Sequence, residues 1–217
     1  FVRKYKQKIE KSVVLHIGND EFYQPVDTKY SETANKFSEI DYLLTVSHLY
    51  PYKNIELLID SYYHAQLYKS ELYILIAGSN TDKIYSDKLK SKVQKYGLGE
   101  HIVFLGRIEK QDLRELYSQC KFLVFTSPFE NFAYTLVEAM SCSAPIIATN
   151  TTAMPETCGD AALYFSPDSE QELTECMLTF LENEDIRKEY KYKSLAKSAE
   201  YEICLLYTSD AADDSLR

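Results

Sequence analysis

Phe122-Leu123-Val124-Phe125-Thr126-Ser127-Pro128-Phe129-Glu130-Asn131-Phe132-Ala133-Tyr134-Thr135-Leu136-Val137-Glu138-Ala139-Met140-Ser141-Cys142-Ser143-Ala144-Pro145-Ile146-Ile147-Ala148 is the stretch that decides the fold. Phe122–Phe125 is apolar without alternation, the mark of a strand covered on both faces. A polar loop follows, then a helical pattern from Leu136 to Cys142, then a second apolar strand from Pro145 to Ala148. Strand, helix and strand in that order predict a parallel pair. The same unit repeats outward. Tyr42–Val46, Leu72–Ala77, Ile102–Leu105 and Ala162–Phe165 have the same strand character. Helical patterns lie between them at Ile55–Leu67, Ile84–Tyr96 and Leu113–Cys120, and close the chain at Glu170–Glu182 and Ile186–Glu202. The expected fold class is α/β, a doubly wound, Rossmann-like parallel sheet. Ligands of such sheets bind at the carboxyl ends of the strands. The candidate loops are therefore Ser47–Lys53, Gly78–Asp82, Gly106–Glu109, Thr126–Thr135 and Thr149–Glu156.

The chain has 217 residues and a net charge of −9. That balance argues against a nucleic-acid partner, which needs a clustered basic surface. Only six glycines are present, where average usage gives about 15. Neither a P-loop nor a G-x-G-x-x-G fingerprint occurs, and Gly97-Leu98-Gly99 reads as a helix stop. The five cysteines are scattered, with no C-x-x-C spacing. They fit buried thiols of a reducing, cytoplasmic protein. No run is long and apolar enough for a membrane helix. The first residue is not Met, which raises the expectation of missing upstream sequence. The small acidic residues after Tyr207 read as a disordered tail.

Two constellations carry chemistry. In Thr126–Met140, Glu130 falls in the loop and Glu138 on the helix. The backbone N–H groups near Tyr134, Thr135 and Leu136 form an anion site at the positive helix end. Two carboxylates beside an anion site suit a nucleotide sugar, with hydroxyls donating to Glu and pyrophosphate accepting from N–H groups. In Val46–Ile55, Lys53 lies near a helix start, where a cation gains nothing from the dipole. A ligand phosphate would explain it better.

These residues together resemble the C-terminal, donor-binding domain of GT-B fold glycosyltransferases, in the retaining group called glycosyltransferase family 4, or group 1. Glu130 and Glu138 match the family's Glu-x7-Glu, and Glu138–Ala148 matches its continuation. Pro155-Glu156 and Gly159–Tyr164 match the next loop. His48–Asn54 matches the first donor loop, and Phe104-Leu105-Gly106-Arg107 the base-holding loop. Leu15–Asp20 with Phe22 and Pro25 resembles the interdomain connection. The resemblance implies that residues 1–38 end a missing N-terminal domain and connect the two domains. It makes 39–204 the nucleotide-sugar domain and leaves 205–217 as the tail. It implies Glu130 at the transferred sugar as the catalytic residue and Glu138 on the ribose. Lys53 and His48 would contact phosphate, and Gly106, Arg107 and Ile108 the base. Backbone at Asn131, Phe132, Ala133, Tyr134, Thr135 and Leu136 would bind sugar and pyrophosphate.

The implied partners are a UDP- or GDP-sugar and the missing acceptor domain, which would also carry any peripheral membrane association. No metal or other cofactor is expected. The chain departs from the family pattern at four places. His48 replaces an arginine and is largely neutral at pH 7. Asn131, Ala133 and Ser143 replace glycines. Asn131 tolerates the left-handed region, whereas the Ala133 methyl is expected beside the sugar. The expected function is transfer of a hexose to an acceptor hydroxyl with retention, the domain alone being inactive. The alternatives are a non-catalytic sugar-nucleotide-binding domain and a nucleotide-sugar epimerase or phosphorylase of the same fold.

Overall fold

A computed structural model describes residues 20–26 and 31–201. The expectations for an incoming domain end at residues 1–19 and for a disordered tail at 205–217 lie outside the described residues. A four-residue helix, α1 (Glu32–Asn35), precedes the sheet, capped by the Ser31 hydroxyl. The strands are β1 (Asp41–Val46), β2 (Leu72–Ala77), β3 (Ile102–Gly106), β4 (Phe122–Phe125), β5 (Ile146–Thr149) and β6 (Ala162–Phe165). The helices are α2 (Ile55–His64), α3 (Lys83–Lys95), α4 (Lys110–Gln119), α5 (Tyr134–Ser141), α6 (Ala153–Cys158), α7 (Glu170–Glu182) and α8 (Glu184–Ser198).

All neighbouring strands pair in parallel, in the order β3-β2-β1-β4-β5-β6. The strand order reverses between β1 and β4, so a crevice opens there at the carboxyl ends. Each face of the sheet has its own core. On one side Leu44, Leu75 and Leu123 pack with Leu116, Tyr117, Leu136 and Met140. On the other, Leu43, Ile74 and Val124 pack with Leu58, Tyr62, Leu89, Met177 and Phe180. Burial on both faces is why the strands are apolar throughout.

Several boundaries differ from the expected ones, each for a local reason. α4 begins at Lys110 rather than Leu113, because its first turn is polar and leaves no apolar period to see. α6 replaces what was expected to be loop between Thr149 and Glu156. Its Pro155 is the third residue, in the first turn, where a missing N–H costs no helical hydrogen bond. α5 begins at Tyr134, two residues before the expected start. Gly97 does stop α3, with a φ of 68° and its N–H on the Gln94 carbonyl. Ser143 sits in the left-handed region after α5, φ 63°. The Ala144 N–H there donates to the Ala139 carbonyl at 2.9 Å, the closing bond of a helix end that favours glycine. A serine at this position carries backbone strain, partly offset by its hydroxyl on the Lys191 carbonyl at 3.2 Å.

Cys120, Cys142 and Cys158 are free and buried, and burial pushes each thiol up to about 12. Among the described residues no helix is long and apolar enough to cross a membrane.

Candidate donor-binding site

The crevice at the switch point holds a cavity of about 400 Å³. Ser47 and His48 enter from the loop after β1, Gly78 and Ser79 from the loop after β2. Arg107 and Ile108 enter from the loop after β3, and Thr135 from the first turn of α5. The structure thus brings His48, Arg107, Ile108 and Thr135 to one place, although they come from separate segments of the chain. Gly106, with a φ of 69°, ends β3 and accepts the Gly78 N–H at 2.8 Å. Ser47 falls in a candidate loop but is given no role of its own by the sequence, and it lines the cavity. Its Oγ is buried with no hydrogen-bond partner, and a serine flanking a strand gives no sequence signal of that. A buried hydroxyl without a partner is costly unless a ligand or water supplies one.

The start of α5 leaves fewer unpaired amides than expected. Because the helix starts at Tyr134, the Leu136 N–H is already given to the Ala133 carbonyl at 2.9 Å, and Leu136 itself is buried. That removes Leu136 from the expected donors and leaves the first-turn amides of Tyr134 and Thr135. Phe132 is half-buried, edge-on to Tyr134 at 4.9 Å. Ala133 is 3% exposed and belongs to the core under α5. Its methyl is packed among core side chains rather than left in the open. Its φ is −97°, and Asn131 is not among the positive-φ residues. Neither replacement of glycine strains the backbone.

Lys53 and Glu130 lie apart from this lining and pair with each other. Lys53 ends a short 3-10 turn, Pro51–Lys53. Its ammonium donates to Glu130 Oε1, the two side chains being 13% and 18% exposed. The ammonium also lies 5.0 Å from the Tyr52 ring centroid and 5.8 Å from that of Phe125. Threonines fix the surrounding loops. Thr126 Oγ1 donates to the Lys53 carbonyl at 2.6 Å, Thr149 Oγ1 to that of Ser127 at 2.7 Å, and Thr151 Oγ1 to that of Pro128 at 2.8 Å. Thr152 Oγ1 accepts the Glu130 N–H at 3.1 Å. Thr152 has φ 47° and ψ −121°, a strained conformation for a β-branched residue. Thr152→Gly is expected to raise stability by about 1 kcal/mol after the lost hydrogen bond is counted, as read from urea denaturation.

Glu138 is set deeper, on the side of α5 that faces α4. The Tyr117 hydroxyl donates to its Oε2 at 3.3 Å, and the Tyr23 side chain lies close by. Burial raises the Glu138 pKa, while the side chains of Tyr117 and Tyr23 and the charge of Lys110 pull it down. Among the described residues no three His, Cys, Asp or Glu side chains gather as a metal site.

The family model for glycosyl transferases group 1 matches residues 26–197. The chain belongs to this family. A relative, the serotype-specific mannosyltransferase WbdA of Escherichia coli, is 30% identical over 162 residues, 74% of this chain and 20% of WbdA. The chain thus spans about a fifth of that relative's length. Two solved structures share the fold at 20% identity. Anabaena HepE in complex with UDP-glucose superposes with a TM-score of 0.80, covering 95% of this chain and 57% of HepE. The C-terminal domain of the group 1 protein LpcC from Francisella tularensis gives 0.72, covering 83% of this chain and 96% of that domain. The group 1 fold seen here is the Rossmann-like, C-terminal half of the GT-B arrangement.

Proposed function

We propose that this chain is the donor-binding part of a group 1 glycosyltransferase. It would bind a nucleotide diphosphate sugar in the switch-point cavity. Joined to an N-terminal acceptor domain, it would transfer the sugar to an acceptor hydroxyl with retention. The observation that carries this reading is the convergence of His48, Arg107, Ile108 and the α5 N-terminus on one cavity that Ser47 also lines.

Each group then has a task. Backbone at Gly106, Arg107 and Ile108 faces the base. The Tyr134 and Thr135 amides, with the dipole of α5, take the pyrophosphate. His48 and the Ser47 hydroxyl add donors, and Arg107 adds charge. Glu138 accepts from the ribose hydroxyls. Glu130, held through its N–H by Thr152, contacts the transferred sugar, and Lys53 reaches the phosphates by turning from Glu130. With these cations and amides around the pyrophosphate, no metal is required in the proposal. The buried thiols fit a reducing compartment such as the cytoplasm. The unstrained Asn131 and Ala133 favour this reading over a non-catalytic domain.

Titration of the 217-residue chain with UDP- and GDP-sugars, followed by calorimetry and by thermal shift, tests it. One of the two is expected to bind. Glu138→Gln should weaken it about tenfold or more, the scale of a hydrogen bond to a charged group, with little change in unfolding midpoint. Failure of both sugar nucleotides to bind sinks the proposal. For the enzyme joined to its acceptor domain, a glycosylated product of retained configuration is expected. Free epimerised nucleotide sugar or sugar phosphate would assign the chemistry to the alternatives.

A further inference from the structure

The segment from Asp20 to Val26 lies along α4, held by several unlike contacts. Asp20 pairs with Lys110. The Phe22 ring lies 5.0 Å below both the Lys110 ammonium and the Arg114 guanidinium. Arg114 Nε donates to the Gln24 carbonyl at 3.0 Å, and the Val26 N–H to Ser118 Oγ at 3.3 Å. This clamp places Tyr23 edge-on to Tyr117, ring centroids 6.2 Å apart. Both rings are buried; the Tyr117 hydroxyl donates to Glu138 Oε2 at 3.3 Å, and the Tyr23 side chain lies close to the same carboxylate.

We propose that Tyr23 and Tyr117 are positioning residues for Glu138, donating two hydrogen bonds that fix its carboxylate as an acceptor for a vicinal diol. An ionised carboxylate has about four acceptor positions. Two phenols occupy two of them, and the remaining two suit the 2′- and 3′-hydroxyls of a ribose. This rests on the donor-binding function proposed above. The phenols also oppose the effect of burial. A buried carboxyl tends to keep its proton, and a protonated Glu138 would offer a competing donor to the diol. Hydrogen bonds from phenols favour the ionised form. The burial of Tyr23 and Tyr117, and the Glu138 charge beside them, raise both phenol pKa values, so they remain protonated donors. The other charged groups acting on Glu138 are Lys110 of α4, which favours its ionised form, and Asp20 of the clamped segment, which opposes it. The Cys142 thiol, just after α5, is itself raised to about 12 and neutral. Tyr23 makes this a connection between the incoming segment and the ribose site, because a shift of residues 20–26 would move one of the two donors.

Tyr23→Phe, Tyr117→Phe and the double variant, made in the 217-residue chain, test the proposal while keeping both rings packed. Two measurements are needed. The first is the titration of the Glu138 carboxyl by 13C NMR, its signal assigned by its loss in Glu138→Gln. The midpoint should move to higher pH in each single variant and further in the double. The second is the affinity ratio of uridine or guanosine diphosphate, whichever binds more tightly, to its 2′,3′-dideoxy analogue. The wild type should prefer the ribose form, and each variant should lose about three- to tenfold of that preference. An unmoved midpoint overturns the proposal, and so does an unchanged ribose preference. If no diphosphate binds the wild type, the donor function fails, and the NMR midpoints alone then decide whether the phenols hold the carboxylate.

Discussion

Replacing Gly78 by alanine is expected to remove about 3 kcal/mol or more of stability and to close the switch-point cavity. A Cβ built on Gly78 would stand 1.8 Å from the Ser47 carbonyl oxygen and 2.5 Å from its carbon. The obstacle is backbone and cannot rotate aside. Nor can either strand end retreat freely. The Ser47 N–H donates to the Ala77 carbonyl at 2.9 Å, and the Gly78 N–H to that of Gly106 at 2.8 Å. The φ of +147° at Gly78 adds a second penalty, since side chains rarely adopt it. Because Ser47, His48 and Gly78 line the cavity, the same clash should abolish the nucleotide-sugar binding proposed for it. Gly99→Ala is the control, because a methyl added there meets nothing within 4 Å, and it should stay within about 0.5 kcal/mol of wild type. Urea denaturation of the two variants decides the matter, and equal midpoints would show that β1 and β2 do not meet as described.

The second large effect concerns Lys53 and Glu130. Glu130→Ala is expected to cost about 3 kcal/mol, because it leaves a lysine side chain only 13% exposed without its counter-charge. Lys53→Ala should cost a similar amount by stranding the carboxylate. The double variant Lys53→Met with Glu130→Leu should return to within about 1 kcal/mol of wild type, since apolar groups of like volume often replace a buried pair without loss. The coupling energy of this cycle is read from unfolding midpoints. The same double variant separates structure from function. Restored stability with lost nucleotide-sugar binding is the expected result. Restored stability with unchanged binding would remove both residues from the donor site.

Much of the fold is legible in local pattern. Leu72–Ala77, Phe122–Phe125, Ala162–Phe165 and Glu170–Glu182 form the elements that their apolar spacing predicts. Other elements are harder to read where the pattern is silent. The polar first turn of α4 and the proline-bearing α6 leave no period to count. The two-residue shift in the start of α5 matters most for the site, because it uses the Leu136 amide that the sequence suggests for the ligand. Ala133 illustrates a different limit. A residue before a helix can face the ligand or the core, and sequence spacing does not distinguish them.

The parallel, doubly wound sheet, and the end of it where a ligand would lie, can be read from the sequence without coordinates. Strand and helix periods are local, and a run of apolar residues states its own burial. Which side chains meet at that end is settled only by packing. Lys53 finds Glu130 across 77 residues of sequence, Gly78 receives Ser47 from a neighbouring strand, and Glu138 takes the Tyr117 hydroxyl from α4. These partners are set by the strand order and by the crossing of helices over the sheet. That geometry is a property of the whole packed chain, and no local window contains it.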